Sequence, residues 1–163
     1  MRVETAMMRS AAYCTPETNL GTAAEIMWKF DCGMLPVVGA DRKVVGVITD
    51  RDMCIALATR NKLAGEITVG EVFAGRAYTC RPQDDIRAAL DTMSRQKVRR
   101  LPVVNSDGVL QGILSMDDIV LHVDSYDGVT DGGLSSREII TAMLGIYGRQ
   151  LPQVVTAKAV SAG

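Results

Sequence analysis

An internal repeat limits what this chain can fold into more than any other feature. Residues 14–57 align with 80–123 without a gap, at an offset of 66, and 11 of those 44 positions are identical. Composition alone would give about three matches over that length. The identities fall where backbone geometry is decided. Cys14 and Pro16 face Cys80 and Pro82, Leu35-Pro36-Val37-Val38 faces Leu101-Pro102-Val103-Val104, and Asp41, Gly46 and Asp52 face Asp107, Gly112 and Asp118. Such a period means that one supersecondary unit is used twice and that the copies bury each other's open faces.

Each copy follows the same course. A short strand at 12–14 or 78–80 runs into a proline that favours a turn. Leu20, Ala23, Ala24 and Met27 in the first unit, and Ile86, Ala89, Leu90 and Met93 in the second, recur at i, i+3, i+4 and i+7, which predicts a helix. Short buried strands follow at 35–38 and 101–104, then turns at 41–43 and 106–108, then third strands at 44–48 and 109–114. Second helices start at Thr49 and Ser115, carrying Met53, Ile55 and Ala56 or Ile119, Val120 and Val123. The order β-α-β-β-α defines an α/β unit whose three-stranded sheet has helices on one face. The other face must be covered, so two tandem units are expected to pack sheet to sheet with pseudo-twofold symmetry. The first unit is set at 1–66, the second at 67–123, and a remainder at 124–163.

The remainder lies outside the repeat. Segment 124–133 is polar and glycine-rich and reads as a loop. Ser135 and Glu138 then have capping-box spacing, and Ile139, Ile140, Met143, Leu144 and Tyr147 make an apolar stripe that ends at Gly148 and Pro152. This C-terminal helix has two candidate partners, the module's own surface or another subunit. The tail after Pro152 is expected to fray.

Gly46-Val47-Ile48-Thr49-Asp50-Arg51-Asp52 and Gly112-Ile113-Leu114-Ser115-Met116-Asp117-Asp118 resemble the G-h-h-[T/S]-x-x-D signature (h, apolar) of ligand-binding CBS domains, the cystathionine β-synthase type. The upstream Leu-Pro-Val-Val strands fit the same family, and the resemblance spans residues 3 to about 123. It implies a CBS pair with two clefts between the sheets, open to adenosine-containing ligands: AMP, ADP, ATP, NAD or S-adenosylmethionine. The motif Asp would accept hydrogen bonds from the ribose hydroxyls, and the Thr or Ser hydroxyl would bond ribose or phosphate. By position these are Thr49 and Asp52 in one cleft, Ser115 and Asp118 in the other. Adenine would rest against Cys14, Leu35 and Val47 in one cleft and Cys80, Leu101 and Ile113 in the other. Arg99 and Arg100, just before a strand, match positions where family members hold phosphates, and Arg51 is a further candidate. The first unit has Gly33 and Met34 at those positions, so the clefts are not equivalent. The resemblance also implies a non-catalytic regulatory role, a disc-like homodimer and a separate client protein.

The chemistry of the motif supports this without the family. A strand-to-helix junction presents free N–H groups and the positive end of a helix dipole, which suits phosphate. A carboxylate three residues on can accept both hydroxyls of a diol through its two oxygens, and an arginine fork matches phosphate oxygens. The same spacing is also close to a capping box, which needs no ligand. Both roles are compatible, and a ligand-free dimerisation scaffold is the competing reading.

Bulk properties narrow the remaining classes. Net charge is −1 and aromatic residues are 4% of the chain, so neither a basic field nor a stacking platform favours nucleic acid. No apolar run approaches the roughly 18 residues a membrane span needs, and residues 1–10 lack a signal-peptide core, so a cytoplasmic protein is expected. Cys14, Cys32, Cys54 and Cys80 show no CxxC spacing and are expected to be reduced and mostly buried. His122, expected on the apolar side of its helix, is the single histidine, leaving little for a His-based metal site or a Cys/His dyad. There is no GxxxxGK[ST] and no GxGxxG, and Asp124, Asp127 and Asp131 miss EF-hand spacing. An enzyme working through Cys14 or Cys80 is a distant third reading. No resident cofactor or metal is expected.

Overall fold

Two β-hairpins with the same register frame the molecule, whose computed structural model describes residues 1–122 and 133–148. In the first unit, helix α2 (Leu20–Lys29) leads to β1 (Met34–Val38), β2 (Val44–Thr49) and α3 (Asp50–Arg60). In the second, α4 (Ile86–Gln96) leads to β3 (Arg100–Val104), β4 (Leu110–Ser115) and α5 (Met116–Leu121). A short α1 (Val3–Ala6) precedes them and α6 (Ser136–Tyr147) follows. Both hairpins are antiparallel, with Met34 opposite Thr49 and Arg100 opposite Ser115, and each has an irregularity after Val37 or Val103. The repeat in sequence is thus a repeat in register.

The expected first strand of each unit is a single residue wide. Cys14 and Cys80 form isolated parallel bridges to Val37 and Val103, with Cys14 N–H donating to Pro36 O (3.1 Å) and Val38 N–H to Cys14 O (2.8 Å). Pro16 and Pro82 follow two residues on and stop either strand from lengthening. The hairpins meet at their turns, where Lys43 bridges Val109 and Val44 N–H donates to Gly108 O at 3.0 Å. Residues 43 and 109 are each other's counterparts at the 66-residue offset, so the pseudo-twofold axis passes through this contact.

The cores are divided in a way the alignment does not reveal. Val3, Ala6 and Met7 are buried with Cys80, Ile86, Leu90, Leu101 and Leu114 of the second unit. Ile67 and Val69, from the linker, are buried with Leu20, Leu35 and Ile48 of the first. Each hairpin therefore receives the segment leading into the other unit. Met8 pairs with Ile113 on β4, and Ala74 pairs with Val47 on β2. The motif glycines permit this approach: a methyl on Gly46 would collide with the Ala74 carbonyl and the Phe73 ring, and one on Gly112 with the Met8 carbonyl. A family of short contacts thus ties the two halves together.

Helix α6 closes the second unit's helical face. Its buried residues are Ile139, Ala142 and Ile146, which join the second core and pack on α4. The expected stripe is corrected here: Ile140, Leu144 and Tyr147 are exposed, because the helix turns its Ile139 face inward. Ser135 and Glu138 form the expected capping box, and Arg87 of α4 bonds Glu138 at 2.6 Å. That guanidinium, together with the Ser135 N–H and hydroxyl, holds the Glu138 carboxyl down at about 2. His122 caps α5 and is exposed rather than packed, with Nδ1 2.7 Å from Asp118 O. Val123, the acidic 124–131 loop and the tail beyond Pro152 lie outside the described residues.

Candidate functional site

Thr49 ends β2 and is the N-cap of α3, and the helix start is anchored across the hairpin by Asp50 N–H donating to Gly33 O at 3.2 Å. Asp52 Oδ2 accepts from Thr49 N–H (3.0 Å) and from its hydroxyl (2.7 Å), while Asp52 N–H donates back to Thr49 Oγ1 (3.2 Å). The second unit repeats this closely. Asp118 Oδ2 accepts from Ser115 N–H (2.8 Å) and hydroxyl (2.6 Å), and Asp118 N–H donates to Ser115 Oγ (3.0 Å). Both motifs are complete capping boxes, so the capping function inferred from spacing is present in each. Asp52 and Asp118 are half-buried, and each carboxylate is folded onto its own cap through one oxygen.

The first motif opens on a cavity of about 400 Å³ between the two units, within the size range of small-ligand sites. Thr49, Asp50 and Arg51 form one wall with Met34 and Val47, while Tyr78, Val98, Arg99, Arg100 and Pro102 come from the second unit. Arg99 and Arg100 belong to the second unit by sequence and line the cavity at the first unit's motif. Arg100 pairs with Ser115, and Arg99 O accepts Met116 N–H at 2.9 Å, so the same strand mouth also anchors α5. Two cations that the motif does not announce, Arg76 and Lys97, complete the rim. Arg76 stacks on Tyr78, 5.1 Å from the ring centroid, and Lys97 Nζ donates to Gly148 O at 3.3 Å. The 66-residue offset could have found both, since they precede the second unit's strands as Ser10 and Asp31 precede the first's.

The adenine-facing assignments need correction as well. Cys14, Leu35, Cys80 and Leu101 are core residues: Leu35 of β1 and Cys14 beside it pack with α2 residues, and Leu101 of β3 and Cys80 beside it with α4 residues. Val47 does line the cavity. Ile113, its counterpart, is buried, Ser115 is only 9% exposed, and Met116, in place of Asp50, is 2% exposed. The second motif is therefore more deeply buried than the first.

Burial also answers the cysteine question. It pushes the Cys14 thiol up to about 11 and the Cys80 thiol up to about 12, which suppresses the thiolate a nucleophile needs. Cys32 is half-buried and Cys54 exposed, against the expectation of mostly buried thiols, and all four are free. Among the described residues, no helix is long and apolar enough to cross a membrane, and no cluster of His, Cys, Asp and Glu has metal-site form. On the outer face, α2 and α3 leave an open groove of about 980 Å³ lined by Met27, Trp28, Met53 and Leu57, with Trp28 90% exposed.

Paired hairpins, each ending in a capped helix behind a G-h-h-[T/S]-x-x-D motif and related by a pseudo-twofold axis, define a tandem CBS module. The chain belongs to the CBS domain family, whose model matches residues 3–59 and 61–125. It is 31% identical over 121 residues to Hypoxic response protein 1 of Mycobacterium tuberculosis, across 74% of this chain and 84% of that protein. The CBS domain pair of protein MJ0100, solved in complex with 5′-methylthioadenosine and S-adenosyl-L-methionine, superposes with a TM-score of 0.68 at 25% identity, over 74% of this chain and 94% of that one. The CBS domain protein PAE2072 of Pyrobaculum aerophilum, complexed with AMP, superposes with a TM-score of 0.64 at 26% identity, over 73% and 90%. Both of these CBS pairs hold adenosine-containing ligands.

Proposed function

We propose that this chain is a non-catalytic regulatory module that binds an adenosine-containing nucleotide in the groove between Thr49 and Arg100. The observation that carries the reading is the open cavity at the first motif, where a helix N-terminus and a cationic rim face an apolar floor. Ribose would engage Asp52 through the oxygen its cap leaves free, and phosphate would engage Arg51, Arg99 and Arg100, the Thr49 hydroxyl turning from Asp52 to donate to it. Binding that favours one arrangement of the two units over another would be read by a client protein. A homodimer through the α2–α3 face fits the exposure of Trp28, and loss of the dimer in Trp28→Ala by sedimentation would support it.

Thermal-shift measurement with AMP, ADP, ATP, NAD and S-adenosylmethionine tests the reading. A ligand at 100 times its Kd adds about 2.7 kcal/mol to stability by mass action. One or more adenosine compounds should raise Tm, and Arg100→Ala should reduce that rise. A second reading, the ligand-free scaffold, draws on the capping boxes, in which both motif carboxylates already have a structural task. It predicts no shift across the panel, with Asp52→Ala costing only the ~1 kcal/mol of a lost cap.

A further inference from the structure

Five cations line the first groove, Arg51, Arg76, Lys97, Arg99 and Arg100, against one carboxylate, Asp50. None of the five makes an ion pair among the described residues, whereas Arg2, Lys43, Arg60, Arg87 and Arg95 each have one. Grouped like charges without counter-charges repel one another, and the repulsion is relieved by a bound polyanion. At the 66-residue offset, the second-groove positions that correspond to Arg51, Arg76 and Lys97 are Asp117, Ser10 and Asp31, whereas the Arg99–Arg100 and Gly33–Met34 pairs exchange places and line the first groove together. Three cations are lost there, and two of those positions become acids. The second motif is also more deeply buried, with Met116 in the second core where the first has exposed Asp50.

We infer that the module takes one ligand per chain, in the first groove alone, and that this ligand carries a chain of two or more phosphates. The inference rests on the nucleotide reading above and deepens it by fixing the ligand's charge class and stoichiometry. A single phosphate can engage Thr49 and the arginine pair at the strand mouth. Arg76 and Lys97, on the linker and at the end of α4, extend the cationic rim beyond the motif and give further phosphates their own partners. A sulfonium ligand such as S-adenosylmethionine brings positive charge to this rim and is disfavoured.

Titration calorimetry on the full chain with adenosine, AMP, ADP, ATP, S-adenosylmethionine and inorganic tripolyphosphate tests this. The expected result is one site per chain and ATP or ADP at least about tenfold tighter than AMP, with that advantage shrinking as salt rises. In Arg76→Gln/Lys97→Gln the AMP-to-ATP ratio of Kd values should fall to about threefold or less, while Arg81→Gln, an exposed cation outside the groove, keeps it. Equal affinity for AMP and ATP, or tighter binding of S-adenosylmethionine, overturns the inference and leaves the nucleotide reading standing. Two sites per chain overturn the single-groove claim. Tripolyphosphate binding as tightly as ATP, or silence from every adenosine compound, overturns the nucleotide reading and the inference with it.

Discussion

Replacing Gly46 with alanine tests how the halves are joined. The new methyl would meet the Ala74 carbonyl and the Phe73 ring, and a backbone carbonyl whose residue is tied to β2 by its N–H cannot step aside as a flexible side chain can. Overpacking of this kind costs about 1–3 kcal/mol. The Ala74 N–H bond to Val47 O, 3.2 Å long, would be strained or lost, adding about 1 kcal/mol. A total of about 2–4 kcal/mol lowers Tm by roughly 5–15 °C in a chain of this length. Gly65 is the internal control, since a methyl there meets nothing within 4 Å. Gly65→Ala should be neutral or stabilising by up to about 1 kcal/mol. Urea and thermal unfolding followed by far-UV circular dichroism will measure both. Fluorescence is a poor probe, because Trp28 is already 90% exposed in the folded state. If Gly46→Ala came within about 0.5 kcal/mol of Gly65→Ala, the linker would not lie on β2 and the shared wall of the groove would be misplaced.

Three further outcomes follow from burial and charge. Val3 is fully buried in the second core, so Val3→Ala should cost about 1–3 kcal/mol by urea unfolding, although residues this near a chain start are usually dispensable. The Glu138 carboxyl, held down at about 2 by Arg87 and the Ser135 cap, contributes stability that is complete above its ordinary value of 4.5 and lost as pH falls toward 2. Because the pair is partly exposed, its share is at most about 1 kcal/mol; the stability gap between the protein and Arg87→Gln should shrink from pH 6 to pH 3. With iodoacetamide at pH 8, mass spectrometry should find Cys54 alkylated first and Cys14 and Cys80 protected until unfolding, since burial blocks access and raises their thiols.

The sequence carried the fold further than the site. Hairpin order, helix positions and capping boxes were all legible because each depends on local spacing: proline after cysteine, Ser or Thr three before Asp, apolar residues at i and i+4. What spacing could not show was which segment crosses to which half. Met8 and Ala74 each pair with the opposite hairpin, a non-local choice made by the pseudo-twofold axis. Nor could spacing show that Arg99 and Arg100 line the first groove, or that Cys14, Leu35, Cys80 and Leu101 are buried in the cores. Likewise, the apolar stripe of α6 was read through Ile140, Leu144 and Tyr147, and packing against α4 buries Ile139, Ala142 and Ile146 instead.

A crystal structure of the chain grown with an adenine nucleotide tests the central claim most directly. The account predicts density for one nucleotide in the groove walled by Thr49, Arg51 and Arg100, and none beside Ser115, where Ile113 and Met116 are buried. A first groove left empty at saturating nucleotide, or ligand density confined to the Ser115 side, would contradict it.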